Sequence, residues 1–322
     1  MTRVLVTGAA GFIGSHLVEA LASRGDEVVG IDNFDPFYPR EMKQRNLADV
    51  GKRPGFSFRE QDILDVAAIR ECLTPDTVLV HLAAKAGVRP SLLDPVGYAR
   101  ANVTGTAAVL DAARQAGVSR IVFGSSSSVY GDSTPAPFRE DAVALQPISP
   151  YAATKRAGEL LLSSVTPIYG FRAASLRFFT VYGPRQRPDL AIHAFTRKMV
   201  EGRTLTLFGD GTQARDYTYC SDIIAGVLAA IGWTANAAVG VETFNLGGNR
   251  AIATQDMVAE IAGALGVEPK IEWGPMQPGD VQRTAADLTK SAAVLGYTPK
   301  TPFREGVRRF VQWYREAYGR AD

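Results

Sequence analysis

Only two cysteines occur in 322 residues, Cys72 in a helical pattern and Cys220 in a polar stretch, so neither a disulfide framework nor a cysteine metal site is available. The three histidines, His16, His81 and His193, lack metal-ligand spacing, and no metal is expected. Net charge is scarce as well. With 35 basic against 33 acidic side chains, the balance of +2 argues against nucleic acid or an anionic membrane surface as partner. No apolar run reaches the length of a membrane span, and the first residues enter a strand-like run without a basic leader, which reads as a cytoplasmic protein. What remains is an ordinary globular composition, 46% hydrophobic and 21% charged, in a chain long enough for two packed domains.

The first half alternates short β-branched runs with helical patterns, as stacked βαβ units do. Strands are expected at 4–7, 28–31, 56–60, 77–82, 120–125 and 174–179, with helices over GSHLVEALASRG, VAAIRECL and YARANVTGTAAVLDAARQAG. Beyond residue 180, Pro- and Gly-rich joints break the alternation, although SDIIAGVLAAIG and ETFNLGG read as a helix and a strand that rejoin the first sheet. The expected fold is α/β: a doubly wound parallel sheet of Rossmann type with a smaller, interleaved α/β domain. Residues 1–179 and 217–252 form the first and 180–216 with 253–322 the second.

Residues 7–14 read TGAAGFIG, with Gly8, Gly11 and Gly14 directly after the first strand and at the start of an amphipathic helix. Glycines there let a pyrophosphate approach the N–H groups of the helix N-terminus. The spacing GxxGxxG is not the usual GxGxxG, and alone it is equally a structural loop. Asp32 ends the second strand where an acidic residue takes ribose hydroxyls, and Asn33 and Phe34 supply no cation for a 2′-phosphate, so NAD is favoured over NADP.

Residues 151–155, YAATK, set Tyr151 and Lys155 one helical turn apart on one face. An ammonium near a phenol favours the phenolate, which suits Tyr151 to act as a base. A serine of GSSSSVYG, residues 124–131, could hydrogen-bond the same substrate oxygen, although in isolation the run is as well a polar turn capping a strand.

Together, TGAAGFIG, Asp32, LAAKAG at 82–87, SSSSVYG, YAATK and RFFTVYGP resemble the extended short-chain dehydrogenase/reductase family, in the branch that modifies nucleotide sugars. Four longer stretches, at 30–47, 81–92, 176–199 and 276–290, are most similar to its UDP-glucuronate 4-epimerase group. The resemblance implies Tyr151 as base and acid, Lys155 as its electrostatic partner and Ser126 as the hydroxyl donor. For NAD it implies Gly8, Gly11, Phe12, Ile13 and Gly14 at the pyrophosphate, Asp32 and Asn33 at the adenosine ribose, and Asp62 and Ile63 beside the adenine. Leu82, Ala84 and Lys85 would line the strand edge, with Asn102 supporting them; Lys85 stands where the group more usually carries glutamine.

Relatives that eliminate water or lose carbon dioxide carry carboxylic acids after the first hydroxyl of the run, whereas here Ser127 and Ser128 follow Ser126. Without that acid, the implied course is return of the hydride to the opposite face of a transient 4-keto sugar, inverting C4. Ser127, Ser128, Thr180 and Arg187 are candidates to hold a uronate carboxylate, with Arg89 and Arg185 as further substrate-binding candidates. The resemblance places Arg215 and Arg283 at the UDP diphosphate, Asp280 at a ribose and 191–196 at the uracil edge. It also implies a homodimer through helices near 97–116 and 151–168. UDP-glucose or UDP-N-acetylglucosamine as substrate, or a non-catalytic nucleotide-binding role, are the alternatives.

Overall fold

The computed structural model describes residues 1–143, 145–275 and 282–319. Seven strands, β1 (Arg3–Thr7), β2 (Glu27–Asp32), β3 (Phe56–Glu60), β4 (Val78–His81), β5 (Arg120–Ser126), β6 (Arg172–Phe178) and β10 (Gly240–Leu246), form one sheet. Their order is β10-β6-β5-β4-β1-β2-β3, and every neighbouring pair is parallel. The expected strands are all present, within two residues at either end, and ETFNLGG does rejoin the sheet. The chain winds outward from β1 in both directions, which opens a crevice between β1 and β4 at their carboxyl ends, where α/β sheets bind ligands.

Helices cover both faces, as an all-parallel sheet requires. They begin with α1 (Phe12–Ser23), α2 (Arg40–Leu47) and α3 (Val66–Glu71), then α4 (Val88–Leu93), α5 (Pro95–Ala99) and α6 (Gly105–Gln115). The single helix expected over 98–117 is interrupted by a π turn at Arg100–Thr104, so that α5 and α6 are offset around Asn102. The long α7 (Pro150–Tyr169) starts with proline in its first turn, behind a Ser149 hydroxyl that accepts the Ala152 N–H at 3.1 Å, and ends at left-handed Gly170. Cys220, read as part of a polar stretch, is instead the buried first residue of a helix over Cys220–Trp233, two helices further along the chain.

The smaller part is built from a three-stranded sheet, β11 (Ala251–Ala253), β9 (Ala214–Tyr219) and β7 (Thr180–Tyr182), and a parallel pair, β8 (Leu205–Phe208) with β12 (Ile271–Gly274). Its helices are α8 (Ala191–Val200), α10 (Thr254–Leu265), α11 (Thr289–Leu295) and α12 (Phe303–Tyr318); the helix from Cys220 is α9. One apolar cluster runs from Val4 and Leu17 through Ile223 and Phe244 to Phe310, so α9 joins both parts in a common core. No helix among the described residues is long and apolar enough to cross a membrane, and no group of potential metal ligands forms there.

All three histidines are built into this framework. His81 lies between Thr7 Oγ1, 2.7 Å from its Nδ1, and Thr106 Oγ1, 3.1 Å from its Nε2. Thr106 donates its own proton to the Asn102 carbonyl, so Nε2 donates and Nδ1 accepts, and the ring is neutral. Burial pushes the His81 pKa down to about 3 and the His16 pKa to about 4, and it lowers that of His193. Because these values fall below the unfolded value, the stability they represent is complete above pH 6.5 and is lost as pH falls toward the folded values. The unfolding free energy is therefore expected to drop between pH 7 and pH 5, by up to about 1.4 kcal/mol per pH unit for each histidine, and the urea midpoint with it. An unchanged midpoint would contradict this reading.

Candidate active site

The carboxyl ends of β1, β4, β5 and β6 open into one cavity of about 470 Å³. At one side lies the turn from β1 into α1. Gly8 has a φ of 75°, and a Cβ there would press to 2.8 Å from the Ala83 nitrogen; a Cβ at Gly14 would overlap the Gly8 carbonyl oxygen. The backbone is thus cleared for an anionic group at the N-terminus of α1. Gly8, Gly11, Phe12, Ile13 and Gly14 all line this cavity.

Asp32 accepts the N–H groups of Ala10 and Phe34 at 3.2 and 2.8 Å. No cation directly follows Asp32 in sequence, but α2 brings buried Lys43 to 3.4 Å from its carboxylate. Asp32 therefore does not present a bare charge. Asn33 donates to Asp62 at 3.1 Å, and Asp62 and Ile63 complete this end. The loop 33–39 places Phe37 and Tyr38 in the cavity wall, and the Tyr38 hydroxyl is buried without a hydrogen-bond partner among the described residues.

Beyond β4, Leu82, Ala84 and Lys85 line the cavity. The Lys85 side chain is engaged by Asp94 at 2.7 Å, while its backbone is held on both sides by Asn102: its N–H donates at 2.8 Å and its carbonyl accepts at 2.9 Å. Asn102 does not line the cavity. It also donates to Thr154, which in turn donates to the Tyr151 carbonyl, so the π turn ties the strand edge to the start of α7.

Tyr151 and Lys155 both face the cavity, and the Lys155 ammonium donates to the Gly124 carbonyl at 2.7 Å. The expected low tyrosine pKa is not found in the protein alone. Burial holds the Tyr151 phenol above its ordinary value, against the hydrogen bond with Ser126 and the Arg187 charge, which pull it back. Lys155 is pushed down to about 8 by burial, opposed by Glu159. Ser126 ends β5, accepts the Ser128 N–H at 3.2 Å and donates to its hydroxyl at 3.1 Å, and Ser127–Tyr130 form a 3-10 turn. Thr180 follows β6, whose Phe178 pairs with Ser126.

Among the arginines the sorting is sharp. Arg187 lines the cavity, its guanidinium 5.1 Å from the Phe37 ring centre, with Nε and Nη2 on Asp189 at 3.0 and 2.7 Å. Arg185 does not line it: left-handed at φ 64°, it pairs with Glu19 at 2.8 Å, beside the His16 bond to the Pro184 carbonyl, and so ties its loop to α1. Arg89 is exposed on α4, with its guanidinium 5.7 Å from the Phe208 ring centre, outside the cavity lining. Arg215 lies on β9, and a bridge pairs its neighbour Ala214 with Arg283, which borders a second, open groove; neither arginine lines the main cavity. Asp280 lies outside the described residues.

A family model described as the NAD dependent epimerase/dehydratase family matches residues 4–247. The chain belongs to this family. Among its relatives, UDP-glucuronate 4-epimerase 3 of Arabidopsis thaliana is 40% identical, with 98% of this chain and 77% of that one aligned. UDP-glucuronate 4-epimerase of Thermodesulfobacterium geofontis is 38% identical over 98% of this chain and 97% of its own. A crystal structure of UDP-glucuronic acid 4-epimerase from Bacillus cereus in complex with UDP-glucuronic acid and NAD superposes with a TM-score of 0.92 at 36% identity, covering 98% of this chain and 100% of that one. Lys43, Phe37 and Tyr38 are among the cavity residues that sequence reasoning did not single out. They lie inside a stretch that resembled other epimerases, but nothing in the string showed a lone lysine folding back onto Asp32.

Proposed function

We propose that this chain is an NAD-dependent UDP-sugar 4-epimerase whose substrate is UDP-glucuronate and whose product is UDP-galacturonate. The observation that carries the sugar assignment is Arg187, a guanidinium set into the same cavity as Ser125 and Tyr151, in a chain whose serine run carries no carboxylic acid. The cleared glycine turn, the Asp32–Lys43 pair and the buried Tyr38 hydroxyl fit a dinucleotide. Once bound, NAD supplies a reversible acceptor for the C4 hydride.

Tyr151 takes the proton of the C4 hydroxyl and returns it after the sugar has turned over, and Ser126 hydrogen-bonds the C4 oxygen as it gains carbonyl character. Lys155 supplies positive charge that favours the phenolate. Oxidation at C4 leaves a carboxylate β to a carbonyl, which loses carbon dioxide when the breaking bond aligns with that carbonyl. Ser127, Ser128, Thr180 and Arg187 hold the carboxylate out of that alignment, and Asp189 fixes the Arg187 fork while leaving it further N–H donors. C4 is inverted with no net redox change. We assign residues 1–179 and 217–252 to the cofactor and 180–216 with 253–322 to the UDP-sugar, with Arg215 and Arg283 at its diphosphate.

Purified protein given UDP-glucuronate, UDP-glucose or UDP-N-acetylglucosamine without added NAD is expected to invert C4 of the first most efficiently, as followed by NMR. A pentose product would replace epimerisation by decarboxylation. Tyr151→Phe should lower kcat by roughly 10²–10⁴-fold, and full activity in that variant would sink the mechanism. Arg187→Ala should cut kcat/KM for UDP-glucuronate by at least about 30-fold, the loss typical of an unpaired charged partner. An equal loss on UDP-glucose would remove Arg187 from specificity.

A homodimer is part of this reading. On α7, Leu160 and Ile168 are 54% and 74% exposed two turns apart, which supports a second copy packing there. Leu160→Glu is expected to convert the dimer to a monomer in sedimentation velocity; a wild-type monomer would exclude the interface.

A further inference from the structure

Behind the catalytic helix lies a buried ion pair that the chemistry above does not use. Glu159, one turn beyond Lys155 on α7, is 5% exposed, and Arg177 on β6 is 3% exposed. Arg177 grips the carboxylate with both prongs of its fork, Nε to Oε1 at 2.9 Å and Nη2 to Oε2 at 3.0 Å. Ser125 of β5 donates to Oε1 at 2.7 Å, and Arg156 reaches Oε2 at 2.8 Å. Burial alone would push this carboxyl up, yet the donors hold it below its ordinary value, so it is an anion in the interior.

Burying a charge pair seldom raises stability over an apolar substitute, so the arrangement calls for a reason beyond packing. Lys155 provides one. Its ammonium is buried, which disfavours the charged form, a cost partly offset by the Gly124 carbonyl and by the face of the Phe123 ring, whose centre is 5.4 Å away. The groups facing it are few: neutral His81 from β4, Tyr151 on its own helix and the Glu159 carboxylate. Facing Glu159 are Arg156 and Lys155 from α7, Arg177 from β6 and Ser125 from β5. The Arg177 guanidinium lies 4.7 Å from the ring centre of Tyr130, whose hydroxyl bonds Asn245 and which Glu140 influences. Ser125 immediately precedes Ser126, and so the carboxylate touches the strand end that carries the proposed hydroxyl donor.

We propose that Glu159 is a positioning residue for the epimerisation: its carboxylate is the counter-charge that keeps Lys155 an ammonium, and through Ser125 it fixes the serine end of β5 against α7. This rests on Tyr151 and Lys155 as the reacting pair proposed above. Arg177 balances Glu159 and tempers the field that reaches Lys155. Removing either partner of the pair should therefore move Lys155 in opposite directions, an outcome that a purely mechanical tie does not produce.

The test uses the full chain with carbon-13-labelled lysine side chains, the Lys155 signal being assigned by its loss in Lys155→Arg. Glu159→Gln is expected to lower the Lys155 titration midpoint by about one pH unit, and Arg177→Gln, which leaves Glu159 on Ser125 and Arg156, to raise it. The alkaline limb of kcat for C4 inversion should shift in the same sense. Ser125→Ala should leave the midpoint in place and lower kcat about tenfold at constant KM, the worth of a hydrogen bond to a charged group. Unmoved midpoints in the folded variants would overturn the counter-charge role, and an unaltered kcat in Ser125→Ala the positioning role. Should Glu159→Gln not fold, Arg177→Gln decides alone. Midpoints that move while wild-type protein fails to invert C4 would keep the electrostatics and reject the epimerase reading.

Discussion

The bond from the Lys155 ammonium to the Gly124 carbonyl fixes where everything else must be. It joins a helix that begins at its capping serine to an interior strand of a parallel sheet, and it does so at the carboxyl end, where the crevice opens. With that contact made, Tyr151 faces the cavity one turn earlier, and the serines after Gly124 follow beside it. The cost is a buried cation. Phe123, Gly124 and Glu159 are the surroundings that make this cation tolerable, and they come from the same two elements that it joins.

A second set of bonds keeps the nucleotide half in register with that pair. Thr7, at the end of β1, is bonded to His81; His81 is bonded to Thr106, Thr106 to Asn102, and Asn102 to Thr154 beneath Tyr151. These short links tie the glycine turn to the helix that carries Tyr151. The π turn at Arg100–Thr104 is the local irregularity that lets Asn102 reach both Lys85 and Thr154.

Much of this was legible in the string. Short β-branched runs located the strands, and their alternation with helical patterns gave a doubly wound sheet, because both signals depend on neighbours in sequence. The glycine turn and YAATK were legible for the same reason. Lys43 was not, since its meaning arises only when α2 returns across the end of β2. Arg185 and Arg187 look alike in the sequence and are separated by backbone geometry: a left-handed residue sends the first to Glu19, and the second enters the cavity. For the tyrosine, spacing revealed a nearby ammonium but not the loss of water around the phenol, which raises its pKa in the protein alone.

The seat of Arg187 has a consequence for how such proteins change their preferences. The arginine belongs to the segment that follows β7, but its guanidinium rests against Phe37, on a loop that leaves β2, and its own loop is tied to α1 through Arg185 and His16. On the proposed reading, the residue that selects the sugar is thus carried by one module and braced by the other. A chimera that exchanges the smaller module alone would import the arginine without its platform, and recombination along the obvious domain seam is a poor route to new sugar specificity in this architecture.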